Sequence, residues 1–257
     1  MRVEKWYLDC VAADGAGMIG YAARISWGPL AVRCAETLLW GADQQPALNR
    51  TVLGGAMPSV TVEGVHWLSP AVRTQGWWRP LGPGLAPVIL HAEAAGKIEW
   101  TACCPAARVG VTIGDQRREG LGYAERLVLT LPPARLPLRE LRWGRFIADG
   151  QNCAWIRWRG PRERCWGFHN GRPVEATMPV DDELGWNGHR LQLDRGRTLR
   201  TGRVADTVFK DAPWLRRLVP APLRNVEETK WCSRGVLTDP QGQDHAGWAI
   251  HEVALFP

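Results

Sequence analysis

Apolar residues in this chain recur at every second position. The runs are short and close on glycine, proline or Asn-Gly, and helical spacing is scarce. That period belongs to β-strands, whose successive side chains point to opposite faces. A chain of 257 residues patterned this way makes one large β domain or two small ones, and can bury a real core. The expected fold class is all-β, a sandwich or a barrel.

Residues 6–11 and 18–27 are expected as strands around a turn at Asp14-Gly15, and 60–66 as another. Residues 88–94 and 97–103 flank Ala95-Gly96, a hairpin signal, and 108–113 come after Pro105 as a separate strand. The run Leu131-Pro132-Pro133-Ala134-Arg135-Leu136-Pro137 cannot pass through a central strand. It marks a boundary between domains 1–131 and 138–257. Beyond it, 141–148 and 154–158 read as strands. Residues 165–169 and 172–177 flank Asn170-Gly171, the best short hairpin turn in the chain, and 189–194 and 198–204 flank Arg195-Gly196. Residues 211–218 are expected as one short helix, stopped by Pro220 and Pro222. Residues 228–237 and 247–255 flank Asp239-Pro240-Gln241-Gly242. In the last strand Trp248, Ile250 and Glu252 share one face, and His251 and Val253 the other.

An apolar fraction of 45% excludes general disorder. No uncharged apolar run approaches the roughly 20 residues of a membrane helix. The start, Met1-Arg2-Val3-Glu4-Lys5, leads to no apolar stretch, since Asp9 and Asp14 soon interrupt the chain with charge. No signal peptide is read there, and a cytoplasmic protein is expected. The seven cysteines include no Cys-x-x-Cys and read as free thiols. The six histidines lack His-x-His or His-x-x-x-His spacing, so no metal site is expected. Ser233 lacks a Gly-x-Ser-x-Gly elbow and is not read as a hydrolase nucleophile.

Of the 32 cations all but Lys5, Lys97, Lys210 and Lys230 are arginines, and the net charge is +6. Arg157, Arg159, Arg162 and Arg164 lie among Trp155, Trp158 and Trp166, a mixture that can stack on bases. A solvent-facing strand edge gives the same pattern, and +6 is weak evidence for a polyanion. No nucleic-acid partner is expected. Peripheral contact with anionic lipid suits the patch equally.

The aromatic choice is unusual: 15 Trp against 3 Tyr and 4 Phe. A Trp buries a large apolar face and keeps one N–H donor. So many of them suit either a filled core or the wall of a cavity for a bulky apolar ligand.

The densest group of chemistry-bearing residues is Glu119-Gly120-Leu121-Gly122-Tyr123-Ala124-Glu125-Arg126, with Leu141-Arg142-Trp143-Gly144-Arg145 beyond it. On a strand Tyr123 and Glu125 share a face and Arg126 takes the other. A carboxyl beside a phenol on an inward barrel face would be desolvated, and desolvation favours the protonated acid. A structural Glu–Arg pair is the plain alternative.

These residues resemble the Gly-x-Gly-Tyr-x-Asp and Trp-Gly-Arg motifs of the carotenoid 1,2-hydratase and AttH-like family. Trp6-Tyr7-Leu8-Asp9, with Asp14-Gly15, resembles that family's aromatic opening. Ile98-Glu99-Trp100-Thr101 and Pro105-Ala106-Ala107-Arg108-Val109 resemble the hairpin before its Gly-Tyr motif. The resemblance implies two lipocalin-like β-barrel domains packed together. It also implies a hydrophobic, isoprenoid or polycyclic, small-molecule substrate. The chemistry would be hydration, isomerisation or cyclisation of a carbon–carbon double bond, without a cofactor. A non-catalytic carrier of such a molecule is the alternative.

Under the resemblance Glu125 is the proton donor, one methylene longer than the family's Asp. Tyr123 orients it or relays a proton, and Asp9 and His251 are conceivable bases. Trp6, Trp100, Trp143, Trp231 and Trp248 would meet the substrate and stabilise a cation by their ring faces. Arg145 either anchors the structure or joins them.

Overall fold

The computed structural model describes all residues except 44–46, 176, 181–182, 195 and 209–220; for 177–180 and 221 it describes the backbone alone. The helix expected over 211–218 lies outside the described residues. The chain divides into two compact units, Met1–Leu136 with Val208–Pro220, and Pro137–Thr207 with Ala221–Pro257. The architecture is all-β, with a nearly closed, barrel-shaped sheet.

The first unit holds β1 (Arg2–Val11), β2 (Gly17–Trp27), β3 (Leu30–Trp40), β4 (Leu48–Leu53), β5 (Ser59–Thr61), β6 (Gly64–Ser69), β7 (Thr74–Pro80), β8 (Val88–Glu93), β9 (Gly96–Ile113) and β10 (Gln116–Leu129). They pair in the order β4-β3-β2-β1-β10-β9-β7-β6-β5, with β8 against β9. The second unit holds β11 (Glu140–Ala148), β12 (Gln151–Arg159), β13 (Arg164–His169), β14 (Arg172–Val174), β15 (Thr177–Val180), β16 (Glu183–Trp186), β17 (His189–Leu193), β18 (Arg197–Arg203), β19 (Glu227–Thr238) and β20 (Asp244–Leu255). Their order is β14-β13-β12-β11-β20-β19-β17-β16-β15, with β18 against β19. The two units therefore repeat one topology strand for strand. Two one-turn helices, Val204–Thr207 and Ala221–Arg224, lie between β18 and β19.

Several sequence expectations are corrected in detail. Residues 60–66 are not one strand but the hairpin of β5 and β6, turned through Val62-Glu63, with Gly64 opening β6 at a φ of +129°. β9 runs without a break through Pro105. Gly122 pairs with Ala107 and Ala124 with Cys104, so Pro105 and Ala106 together oppose Tyr123; Pro105 lies in a bulge of β9 itself, where a missing N–H is tolerated. β17 and β18 do not form a hairpin; each pairs with β19. The Asn170-Gly171 turn stands, with φ of +47° and +76°, the two left-handed residues of a tight hairpin turn.

In the first unit Trp6, Leu8, Met18, Ala22, Trp67 and Trp78 belong to one buried core. The Trp67 ring on β6 rests on Gly20 of β2, so closely that a Cβ at Gly20 would strike it. β1, β10, β9 and β7 lie between those two strands in the sheet, so the ring crosses the bore. The first barrel is thus filled by indoles, opposed by small residues such as Ala22, Ala35 and Ala124. Each large apolar side chain so buried contributes roughly 1.5–3 kcal/mol. In the second unit Phe146, Trp155, Leu184, Trp186, Leu191 and Leu237 form the corresponding core.

Candidate functional site

β1 and β10 pair antiparallel with Tyr7 opposite Glu125 and Asp9 opposite Tyr123. Directly opposed residues share a face, and the same row continues to Tyr21 on β2 and Glu36 on β3. All three tyrosines of the chain therefore stand on one face with three carboxyl groups. The Tyr7 ring meets Tyr21 and Tyr123 edge to face, with centroids 5.4 and 6.1 Å away. The Lys5 ammonium lies 4.8 Å above the Tyr21 ring.

Gly122 permits this pairing. A Cβ there would collide with the backbone oxygen of Asp9. Beyond it β10 stays in unbroken register with β1, and alternation sets Tyr123 and Glu125 on one face. The Tyr123 hydroxyl donates to Glu125 Oε2 at 2.8 Å, and Trp100 Nε1, from β9, donates to the same oxygen at 2.5 Å. The Tyr7 hydroxyl donates to Asp9 Oδ2 at 2.9 Å. Tyr123 and Asp9 are fully buried, whereas Glu125 is half-buried. Burial, then the charge of Glu125, pushes the Tyr123 phenol well above its ordinary pKa, so it keeps its proton and remains a donor.

Trp100 differs from four other buried indoles. Trp40, Trp67, Trp78 and Trp158 send their N–H to backbone carbonyls, of Gly15, Ala56, Asp9 and Pro137. These four fill core in the plain sense. Trp100 alone among these five gives its N–H to a carboxyl group.

The expected inward orientation of Glu125 is corrected. Ala124, not Glu125, points into the bore with Leu8 and Ala22. Ala124 lies opposite Leu8 on the bore face, and strand alternation sends Tyr123 and Glu125 to the opposite face. Trp6 lies in the bore and is not brought to Glu125. Arg126 pairs with Glu4 at 2.8 Å rather than with Glu125.

The other candidates belong to the second unit. Trp143, Trp231 and His251 line a cavity of about 440 Å³. Arg145 is buried and donates to the Trp248 carbonyl at 2.7 Å. The Trp248 ring carries the Arg234 guanidinium 5.3 Å from its centroid. Trp155 also lines the cavity and Arg157 pairs with Glu163, so this part of the Arg/Trp mixture is engaged within the fold. Lys230 is fully buried, with ion pairs to Glu252 and Glu228; Glu228 also takes Arg200 at 2.8 Å. The seven cysteines are free thiols, and among the described residues no cluster of His, Cys, Asp and Glu is arranged to hold a metal. Among the described residues no helix is long and apolar enough to cross a membrane.

No family model and no curated protein matches the sequence. Solved structures match along nearly its whole length. An AttH-type protein of Nitrosomonas europaea shares 11% identity over 98% of this chain and 92% of its own, with a TM-score of 0.62. The fold is that of the AttH-like proteins. CghA shares it at 12% identity and a TM-score of 0.57, over 99% of this chain and 88% of that one. So does kievitone hydratase of Nectria haematococca, at 9% identity and 0.52, over 98% and 88%. At such identities the likeness is one of fold. The likeness covers both units of the chain.

Sequence reasoning did not single out Tyr7, Tyr21 and Glu36 as partners of Glu125. What lines them up is the pairing register of β3, β2, β1 and β10, which alternation within each strand does not fix.

Proposed function

We propose that this chain is an acid–base enzyme of the hydratase or isomerase type, acting on a hydrophobic, isoprenoid or polycyclic, molecule with Glu125 as the proton-transfer group. One observation carries the reading. Two neutral donors, Tyr123 and Trp100, converge on the same oxygen of a half-buried carboxyl group.

The arrangement favours proton transfer in a definite sense. Because Oε2 accepts two hydrogen bonds, the proton of the acid form is carried on Oε1. When that proton passes to an alkene carbon, charge develops on the carboxylate, and both donors are already aimed at it. Hydrogen bonds to a charged acceptor contribute about 1.5–3 kcal/mol each. The cation left on the substrate is met by aromatic ring faces, worth about 1–2 kcal/mol when desolvated. Water then adds to the cation and gives up a proton, which completes hydration. Alternatively a neighbouring carbon returns a proton to Glu125, which moves the double bond. The substrate approaches Glu125 on the sheet face away from the filled bore.

The fold likeness to kievitone hydratase supports this class of chemistry, and Tyr7 and Asp9 line the same face. The test is turnover of a panel of isoprenoid and polycyclic alkenes. Glu125→Gln should lower turnover by roughly 10²–10⁴-fold. Turnover equal to that of the unaltered chain removes Glu125 from the mechanism.

A further inference from the structure

The two units share a topology but not an interior. The first barrel is plugged by Trp6, Trp67 and Trp78. The second keeps a cavity of about 440 Å³ among residues of β11, β12, β16 to β20 and the turn before β18. That volume lies within the usual range of small-molecule sites, roughly 300–1,000 Å³.

The wall has a definite chemistry. Trp155 and Trp231 supply flat aromatic surface, and Leu184, Leu191 and Leu193 supply aliphatic surface. Trp231 and His251 are stacked, with centroids 5.2 Å apart and planes 23° apart, so they extend one flat panel. His251 is held in place by Ser233, whose hydroxyl lies 2.9 Å from Nε2. Burial, then the nearby Lys230 ammonium, pulls the His251 pKa down to about 4, so the panel is uncharged near neutrality. Thr198 adds a hydroxyl to the lining.

Among the described residues, three of the four Arg, Asp and Glu residues at the lining, all but Asp194, have ion-pair partners of opposite sign. Arg142 pairs with Glu140 at 2.7 Å, Glu183 with Arg190 at 2.8 Å, and Glu252 with Lys230. An ionic ligand would compete with these pairs and lose its hydration besides. A neutral one would not.

We propose that the interior of the second barrel is a ligand site in its own right, built for an uncharged, flat, aromatic or polycyclic molecule carrying a hydroxyl or carbonyl oxygen. The flat rings lie against the Trp231–His251 panel, and the oxygen meets the imidazole or the Thr198 hydroxyl. The site is distinct from the carboxyl cluster of the first unit and stands whether or not Glu125 transfers protons.

The test is calorimetric titration of the full chain with 2-naphthol, a neutral flat probe with one hydroxyl. The expected result is binding of one equivalent. Leu193→Trp, which fills the cavity, should weaken it at least tenfold. Trp231→Leu, which removes the panel without adding bulk, should weaken it severalfold. Glu125→Gln should leave it unchanged. Thermal melts by circular dichroism show which variants are folded, and the two cavity variants strain the barrel in opposite senses, so one suffices. No binding by the unaltered chain overturns the proposal. So does affinity that survives in a folded cavity variant, or affinity lost only with Glu125→Gln, which would move the ligand to the first unit.

Discussion

Tyr123 and Glu125, two residues apart on β10, are joined by a 2.8 Å hydrogen bond in which the phenol donates to Oε2. Trp100 reaches the same oxygen from the neighbouring strand. The two donors are therefore not independent. Removing either leaves the other aimed at the same atom, so their effects should not add. Tyr123→Phe and Trp100→Phe should each lower turnover by about 10-fold to 10²-fold. The double variant should lose less than the product of the two. A double-mutant cycle on turnover checks this, and strictly multiplicative losses would show that the donors serve different atoms.

Two histidines make stability fall in acid. His251 is held down to about 4 by burial and Lys230; His169 is held down to about 4 by burial, then by His189 and His245. The unfolded chain protonates both near the ordinary value of about 6.5. Between that pH and about 4 the unfolded state binds more protons, so stability falls as the pH is lowered through this window and is fully present above it. His251 contributes on the order of 3 kcal/mol over the window. His169, half exposed and screened by solvent, contributes less. Urea unfolding across the window should show the slope, and His251→Gln should flatten it. An unchanged slope in that variant would assign the acid sensitivity elsewhere.

Lys230 is buried among Glu252, Glu228 and the Trp143 ring, 6.0 Å from its centroid. Lys230→Met should cost about 3–5 kcal/mol, because it leaves Glu252 without its buried counter-charge. Adding Glu252→Gln should restore most of that loss. Chemical denaturation of the single and double variants reads both. A double variant no more stable than the single would mean that the pair is not the source of the cost.

Gly144 lies under the Trp155 ring, and a Cβ there would strike the indole. Gly144→Ala should cost about 1–3 kcal/mol through overpacking. Gly110, also in a strand, has open space where its Cβ would be, so Gly110→Ala should change stability by less than about 0.5 kcal/mol. Equal melting shifts in the two variants would contradict the packing assigned to Trp155.

The strands were legible where alternation and turn chemistry agreed, as at Asn170-Gly171 and at Asp239–Gly242 between β19 and β20. They were misread where the tertiary structure overrode a local signal. Pro105 looked like a strand break, but it sits in a bulge of β9, where the missing donor is tolerated. Residues 30–40 and 48–53 carry no clean alternation, yet they form β3 and β4, completing the edge beside β2. At the site, alternation placed Tyr123 beside Glu125 without help. It did not say which face was the bore. That depends on where Trp67 and Trp78 go, and their contacts come from strands far apart in sequence. The second cavity was invisible for the same reason, since Trp155, Leu184, Leu191 and Trp231 come from strands that only the folded sheet brings round it.

The most direct measurement is transfer of solvent deuterium to carbon. An alkene that the unaltered chain converts is incubated in heavy water and its product read by mass spectrometry. With proton delivery by Glu125, the product carries one deuterium on carbon. Glu125→Gln yields almost none, and Glu125→Asp yields an intermediate amount. Full labelling by Glu125→Gln, or an unlabelled product from the unaltered chain, would contradict the account.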